Sequence, residues 1–296
     1  MSESATPLSP SDGAISVIGL GRMGLPMARH LITAGYRVVG FDVAGPQQQR
    51  AREVGVEIAA SPAEAAHKSV AALVVVGFDE QVNESVADPA GGLLAGAAEG
   101  FIVAICATVD SATSTGLDKV ARDRGVIVVD ATLCRGEPAA DSGTLLVMYG
   151  GPQATLERLG PVLSTVAQDV YRLGEVGAGQ VGKMLNNYLL WSSVVANYEA
   201  LRLGGRLGLD LTALRESLLL SSGNNWALET WLRGRPMPWA EKDMAIVVRH
   251  AEDAGLPMPS ASLVRDEITR IKVAKNAWAE GGAAFSSMND FTAAHL

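Results

Sequence analysis

Lys183 and Asn187 sit four residues apart in GEVGAGQVGKMLNNYLL, residues 174–190. That spacing puts both side chains on one face of a helix. There an ammonium and a carboxamide can converge on one oxygen of a small molecule. The amine can take or give a proton, and the amide can donate a hydrogen bond without adding charge. Taken alone, such a pair describes many solvated helix faces. A second motif, far upstream, changes its weight.

GLGRMG at residues 19–24 follows a β-branched run (Ile15–Ile18) and opens a helical segment (about Met23–Thr33). In this strand–turn–helix setting Gly19 permits the tight turn, Gly21 lets backbone approach a pyrophosphate, and Gly24 lets helix and strand pack closely. The segment Leu20, Arg22 and Met23 completes the turn, with the amides of Arg22 and Met23 at the helix N-terminus, where phosphate binds well. Asp42 ends the next expected strand (Arg37–Phe41), about twenty residues on as the dinucleotide fingerprint asks. A carboxylate there accepts hydrogen bonds from the ribose hydroxyls and repels a 2′-phosphate, and no basic residue stands among Val43–Pro46. The expected cofactor is therefore NAD rather than NADP.

The elements that must position these residues follow a simple rhythm. Short β-branched runs recur near Val56–Ile58, Ala72–Val76, Phe101–Ile105 and Val126–Val129, alternating with helices that start at Ser61, in a SPAE capping pattern, and near Asp110. Thr144–Tyr149 and Val170–Arg172 bracket a helix after Pro152. Strands alternating with helices predict a parallel sheet covered on both faces. At about Gly174 the pattern turns helical. Apolar residues from Met184 to Leu201 recur at helical spacing over Gln180–Arg206, a helix roughly 40 Å long. It is apolar on more than one side and is expected to be buried between domains or subunits. Thr212–Leu220, Trp226–Leu232, Lys242–Ala254 and Ser260–Lys275 read as further helices. The predicted fold class is α/β: an N-terminal Rossmann-type doubly wound sheet, then a separate all-α C-terminal domain, joined by the long interdomain helix. The expected divisions are a disordered tail at 1–13, an NAD-binding domain at 14–173 and a helical substrate and dimerisation domain at 174–296.

Bulk properties exclude several classes of function. The chain of 296 residues carries 24 basic against 32 acidic residues, a net charge of −8 with no long basic run, so nucleic acid is not an expected partner. The longest apolar stretch, around Val70–Phe78, is too short to span a bilayer. The opening MSESATPLSPSDG has neither the basic nor the apolar region of a signal peptide. Two cysteines, Cys106 and Cys134, cannot build a disulfide framework, which fits a reducing, cytoplasmic setting. His30, His67, His250 and His295 show no metal-ligand spacing, so no metal is expected. They also form no constellation with Cys134, which reads as a substrate or packing contact rather than a nucleophile. The tryptophans at 226, 231 and 239 read as packing.

Over most of its length, Ile15 to about Arg270, the chain resembles the β-hydroxyacid dehydrogenases, the group that includes 3-hydroxyisobutyrate dehydrogenase, tartronate semialdehyde reductase and sulfolactaldehyde reductase. Four segments carry the resemblance: IGLGRMGLPMARHLITAG, DATLCRGEPAADSGTLLVMYGG at 130–151, GEVGAGQVGKMLNNYL at 174–189, and EKDMAIVVRHAEDAGLPMP at 241–259. The resemblance implies that Lys183 is the catalytic acid–base and Asn187 its substrate-orienting partner. It implies that Thr108 lies near the nicotinamide ribose, that Gly77 passes the adenosine, that residues 134–136 bind the substrate's acid group, and that Lys242 closes over the nicotinamide end. The chain departs from the family's common D-A-P-V-S-G-G, reading Asp130-Ala131-Thr132-Leu133-Cys134-Arg135-Gly136. An arginine in place of glycine predicts an anionic group on the substrate, held by Arg135 with backbone amides around Gly136. The alternative is that Arg135 faces solvent or pairs with Glu137 or Asp141.

The expected activity is interconversion of a small anionic 3-hydroxyacid, or a sulfonate or phosphonate analogue, with its semialdehyde or ketone. The expected assembly is a homodimer or homotetramer. Imine reduction on the same architecture is a competing reading, disfavoured because the resemblance places no lysine at position 183 in those relatives. Short-chain dehydrogenase chemistry is disfavoured by the absence of Tyr-x-x-x-Lys. A non-catalytic dinucleotide-binding regulator is the alternative from another class.

Overall fold

A computed structural model describes residues 6–232, 237, 239–278 and 288. The chain runs β1 (Ala14–Ile18), α1 (Gly24–Thr33), β2 (Val38–Phe41), α2 (Gly45–Glu53), β3 (Glu57–Ile58), α3 (Pro62–His67), β4 (Ser69–Val74), α4 (Asp79–Ala87), α5 (Leu93–Gly96), β5 (Ile102–Ile105) and α6 (Ser111–Arg122). It continues through β6 (Ile127–Cys134), α7 (Gly136–Ser142), β7 (Leu145–Gly150), α8 (Gln153–Leu163) and β8 (Ala167–Gly174). The helices α9 (Ala178–Arg206), α10 (Leu211–Leu219), α11 (Trp226–Glu229), α12 (Ala240–Asp253) and α13 (Pro259–Trp278) follow. Two compact units result, Met1–Lys183 and Met184–Leu296, dividing within α9.

The first unit is one eight-stranded sheet in the order β3-β2-β1-β4-β5-β6-β7-β8. Its first six members are parallel and follow the doubly wound dinucleotide-binding order. Alternate residues of each strand feed opposite faces. Ile15, Val17, Ile102 and Ala104 enter one core with Met27 and Leu31 of α1, while Ile18, Val74, Val103 and Ile105 enter the other with Val82 of α4 and Leu117 of α6. The all-parallel expectation fails at one place. β7 pairs antiparallel to β6, Cys134 opposite Leu146, and β8 then pairs parallel to β7. The connection between Cys134 and Leu145 is too short for a parallel crossover, which takes a dozen residues or more, so the chain turns back on itself.

The expected disordered tail is also corrected over residues 6–13. Leu8 is buried in the sheet's core. Its amide donates to the Arg158 carbonyl at 2.9 Å, and its own carbonyl accepts from the Tyr36 hydroxyl at 3.0 Å. One apolar residue with both backbone groups satisfied is enough to pin a polar segment. Residues 1–5 lie outside the described residues.

Helix starts obey local chemistry. The Ser61 hydroxyl accepts from the Glu64 amide at 3.1 Å, and Asp110 caps α6 through the Ala112 amide at 2.8 Å. In the second unit Trp191, Val194, Val195 and Leu201 of α9 join Met244, Val247 and Val248 of α12 and Val264 and Ile268 of α13 in a separate core. Leu185, Leu189 and Leu203 of α9 stand exposed in the single chain.

Candidate active site

The turn after β1 is built around what its glycines lack. Gly19 adopts a left-handed φ of 95°, and its amide closes on the Phe41 carbonyl at 2.8 Å. A side chain on Gly24 would overlap the Gly19 carbonyl oxygen, so that position must stay bare for α1 to begin where it does. Gly21 has nothing within 4 Å of where a Cβ would stand. Its missing side chain opens onto free space at the carboxyl end of β1, room for a pyrophosphate to approach backbone. Leu20 is buried, and its amide donates to Asp42 at 2.7 Å. The other Asp42 oxygen accepts from the Ala44 amide at 2.8 Å. Each oxygen keeps a lone pair for a ribose hydroxyl, so turn and carboxylate together fit a dinucleotide.

Arg22 is exposed and pairs with Glu137 at 3.0 Å. Around Gly21 the fold also gathers Arg29 and Arg50, which with Arg22 and Asp141 line a hollow. Sequence reasoning missed this grouping because these arginines lie on different elements. Gly77 donates to the Gln81 side chain at 2.9 Å, at the start of α4. Thr108 lies half-buried just past β5, also at the carboxyl end of the parallel strands.

β6 ends at the same edge. Its last residue, Cys134, is buried, and Lys183 Nζ donates to its Sγ at 3.8 Å. Lys183 is therefore brought to the carboxyl edge of the sheet, half-buried. Two contacts that sequence reasoning missed hold the first turns of α9 there. Asp130 accepts from the amides of Gly177 at 2.6 Å and Gly179 at 3.1 Å. Burial raises the Asp130 carboxyl above its usual range, against the lowering pull of the Ser114 hydroxyl and these amides. Gln180 accepts from the Val109 amide at 3.1 Å and donates to the Ala107 carbonyl at 3.0 Å, on either side of Thr108. Both residues stand inside the segments that carried the family resemblance, and a polar residue inside an otherwise apolar motif was the available signal.

Arg135 takes neither acid weighed from the sequence. Its guanidinium pairs with Asp169 at 2.6 Å and donates to the Thr144 carbonyl at 3.0 Å. Among the described residues it is also the non-glycine residue with a positive φ, 81°. Gly136, at φ 72°, follows and starts α7.

In the second unit Asn187 donates to Asp243 Oδ2 at 2.8 Å, and the Trp191 indole N–H reaches the same oxygen at 3.3 Å. Asp243 is buried, so the Asn187 carboxamide is held in one orientation, its Oδ1 accepting from Asn186 at 3.0 Å. Lys242 lies 3.7 Å from Asp243 Oδ1 and over the Trp239 ring, 5.8 Å from its centroid. Asp243, too, was missed, although it stands next to Lys242 in EKDM.

A glycine turn with open space for a pyrophosphate, a carboxylate bonded to that turn and a half-buried lysine at one sheet edge fit a dinucleotide-dependent oxidoreductase. The model of the NAD-binding domain of 6-phosphogluconate dehydrogenase matches residues 14–174, and that of the NAD-binding domain of NADP-dependent 3-hydroxyisobutyrate dehydrogenase matches 177–288. The chain is 30% identical to 2-(hydroxymethyl)glutarate dehydrogenase of Eubacterium barkeri, over 84% of this chain and 86% of the relative. It is 35% identical to the NAD-dependent L-serine dehydrogenase of Pseudomonas aeruginosa, over 73% and 72%. The structure of Mycobacterium tuberculosis 3-hydroxyisobutyrate dehydrogenase with L-serine superposes with a TM-score of 0.79 at 26% identity, covering 95% of this chain and 97% of that one. The chain belongs to the β-hydroxyacid dehydrogenase family, nicotinamide-dependent oxidoreductases that act on CH–OH groups. Among the described residues no helix is long and apolar enough to cross a membrane.

Proposed function

We propose that this protein interconverts a small anionic 3-hydroxyacid and its semialdehyde or ketone, with NAD as cofactor and Lys183 as the general acid–base. The Gly19–Gly24 turn and Asp42 would hold NAD, which would supply the hydride acceptor for the carbinol carbon. Lys183 takes the hydroxyl proton as the hydride leaves, and in the reverse direction its ammonium donates to the carbonyl oxygen. Asn187, one helical turn along α9, orients the same oxygen. The observation that carries this reading is the position of Lys183, half-buried at the edge of the sheet that also carries the Gly19–Gly24 turn. The relatives named for L-serine and for 2-(hydroxymethyl)glutarate support a hydroxyacid substrate.

The backbone amides around Gly136 receive the substrate's anion in this reading. Arg135 joins them by exchanging Asp169 for it, so its net contribution is small, and Cys134 contacts the substrate beside Lys183. Gly77 and Thr108 line the cofactor. The exposed apolar residues Leu185, Leu189 and Leu203 of α9 support a homo-oligomer, and the two free thiols support a cytoplasmic setting. A second reading, use of NADP, draws support from Arg22, Arg29 and Arg50 around Gly21.

The decisive experiment is Lys183→Ala, assayed on a panel of anionic 3-hydroxyacids, sulfonates and phosphonates. Turnover should vanish while NAD binding, measured by calorimetry, is retained. More than a tenth of wild-type turnover would remove Lys183 from the chemistry.

A further inference from the structure

Cys134 and Lys183 are used together by no step of the proposed reaction, yet the fold sets them in contact. The thiol ends β6, the amine comes from the second turn of α9, and Nζ stands 3.8 Å from Sγ. The backbone on both sides is fixed. Asp130 clamps the start of α9 through Gly177 and Gly179, and the Thr132 hydroxyl donates to the Gly179 carbonyl at 3.1 Å. The β6–β7 ladder holds Cys134 opposite Leu146. The Lys183 side-chain nitrogen is thus preorganised on a sulfur atom, at high effective concentration. The lysine's four-carbon stem is flexible enough to close the remaining gap.

We infer that the Cys134–Lys183 pair is a site of reversible covalent modification, closing to a sulfur–nitrogen bond when the protein meets a peroxide. In the first step the Cys134 sulfur attacks one peroxide oxygen; the O–O bond breaks, water leaves, and a sulfenic acid remains. In the second, the lone pair of the neutral Lys183 amine attacks that sulfur. The S–O bond breaks, and the departing hydroxide takes one amine proton and leaves as water. One thiol, one amine and one peroxide give one sulfenamide and two waters, with two electrons passing to the peroxide. A small thiol reverses the bond. It attacks the sulfur and frees the amine with its proton, and a second thiol resolves the mixed disulfide. The bond removes the amine from acid–base duty, so closure switches the enzyme off; that consequence, unlike the bond itself, rests on the proposed role of Lys183. Cys106 supplies an internal control. Burial pushes its thiol up to about 12, and its Sγ bonds the Ala104 carbonyl at 3.7 Å.

The test uses the full chain, treated with hydrogen peroxide, alkylated, and read by intact mass and peptide mapping. The expected product has lost the mass of two hydrogens and yields a linked pair of peptides carrying Cys134 and Lys183, which dithiothreitol separates. Cys106→Ser should still form the link. Lys183→Arg should instead leave a Cys134 sulfenic acid that dimedone traps. Cys134 unreacted, or carried to sulfinic and sulfonic acids with no linked peptide in the wild type, would overturn the inference. Activity is followed in parallel. A linked protein that still turns over would refute the acid–base role of Lys183 and leave the modification standing. Full dependence of turnover on Lys183 with no link would do the reverse.

Discussion

Two turns at the carboxyl edge of the same sheet solve the same backbone problem with different residues. After β1, the left-handed position is Gly19, at φ 95°. After β6 it is Arg135, at φ 81°. Glycine enters that region without steric penalty, whereas a residue with a Cβ is disfavoured there by roughly 1–2 kcal/mol. The first turn is made of residues selected for what they lack, so its geometry is local and nearly context-free. The second carries a charged side chain in a strained backbone, and its guanidinium is secured by Asp169 and the Thr144 carbonyl, on the neighbouring β7–β8 side of the sheet. Non-glycine residues kept in such conformations concentrate at functional sites, which agrees with placing substrate recognition around residues 134–136.

The comparison can be broken most severely at the first turn. Gly24→Ala should drive a methyl into the Gly19 carbonyl, costing about 1–3 kcal/mol of stability as overpacking does. NAD binding should become too weak to measure. Gly21→Ala, which has open space around it, should leave the melting temperature unchanged and weaken NAD alone. Equal stability loss in the two variants would mean that the turn is not shaped by close packing. At the rim of the same turn, Asp42→Ser should narrow a preference for NAD over NADP that we expect to be at least about tenfold, or 1.4 kcal/mol. Kinetics with both cofactors measure it, and a wild type that favours NADP would hand the hollow of three arginines the deciding role.

Within β6 the effects are expected to be smaller and to depend on pH. Asp130 has its carboxyl raised by burial. A carboxyl raised in the folded state contributes stability below its unfolded value, and that contribution is lost as pH rises through the folded value. Asp130→Asn keeps an oxygen for the Gly177 and Gly179 amides and does not ionise. The melting temperature of the variant relative to wild type should therefore increase as pH is taken from about 4, near the ordinary aspartate value, to neutrality. A difference that shrinks over that range would mean that the ionised form is the one the fold prefers.

The smallest effect belongs to Arg135→Gly. It relieves the left-handed strain and forfeits a half-exposed ion pair worth about 0–1 kcal/mol, so the melting temperature should rise by no more than a few degrees. Because Asp169 already occupies the guanidinium, the Michaelis constant should rise severalfold, short of tenfold. A larger rise would show that a substrate anion displaces Asp169 completely.

Much of this protein is legible in its sequence. Gly19, Gly21, Gly24 and Asp42 could be read directly, because a dinucleotide turn is specified by a few residues within one strand–turn–helix unit. Strand and helix order followed from periodicity, and the placing of Lys183 and Asn187 on one helix from their spacing of one helical turn. What escaped depended on partners distant in the chain. The reversal of β7 comes from a connection too short to cross over. Leu8 is held by Arg158 and Tyr36. Arg135 takes Asp169, thirty-four residues on, rather than either nearby acid. Cys134 meets Lys183 across forty-nine residues, and three arginines from separate elements gather around Gly21. Sequence determined the elements and the local chemistry, because propensities, turns and helical spacing act over a few residues. Tertiary structure alone decided which charge meets which and which thiol meets which amine, because packing of the sheet and its helices sets those distances.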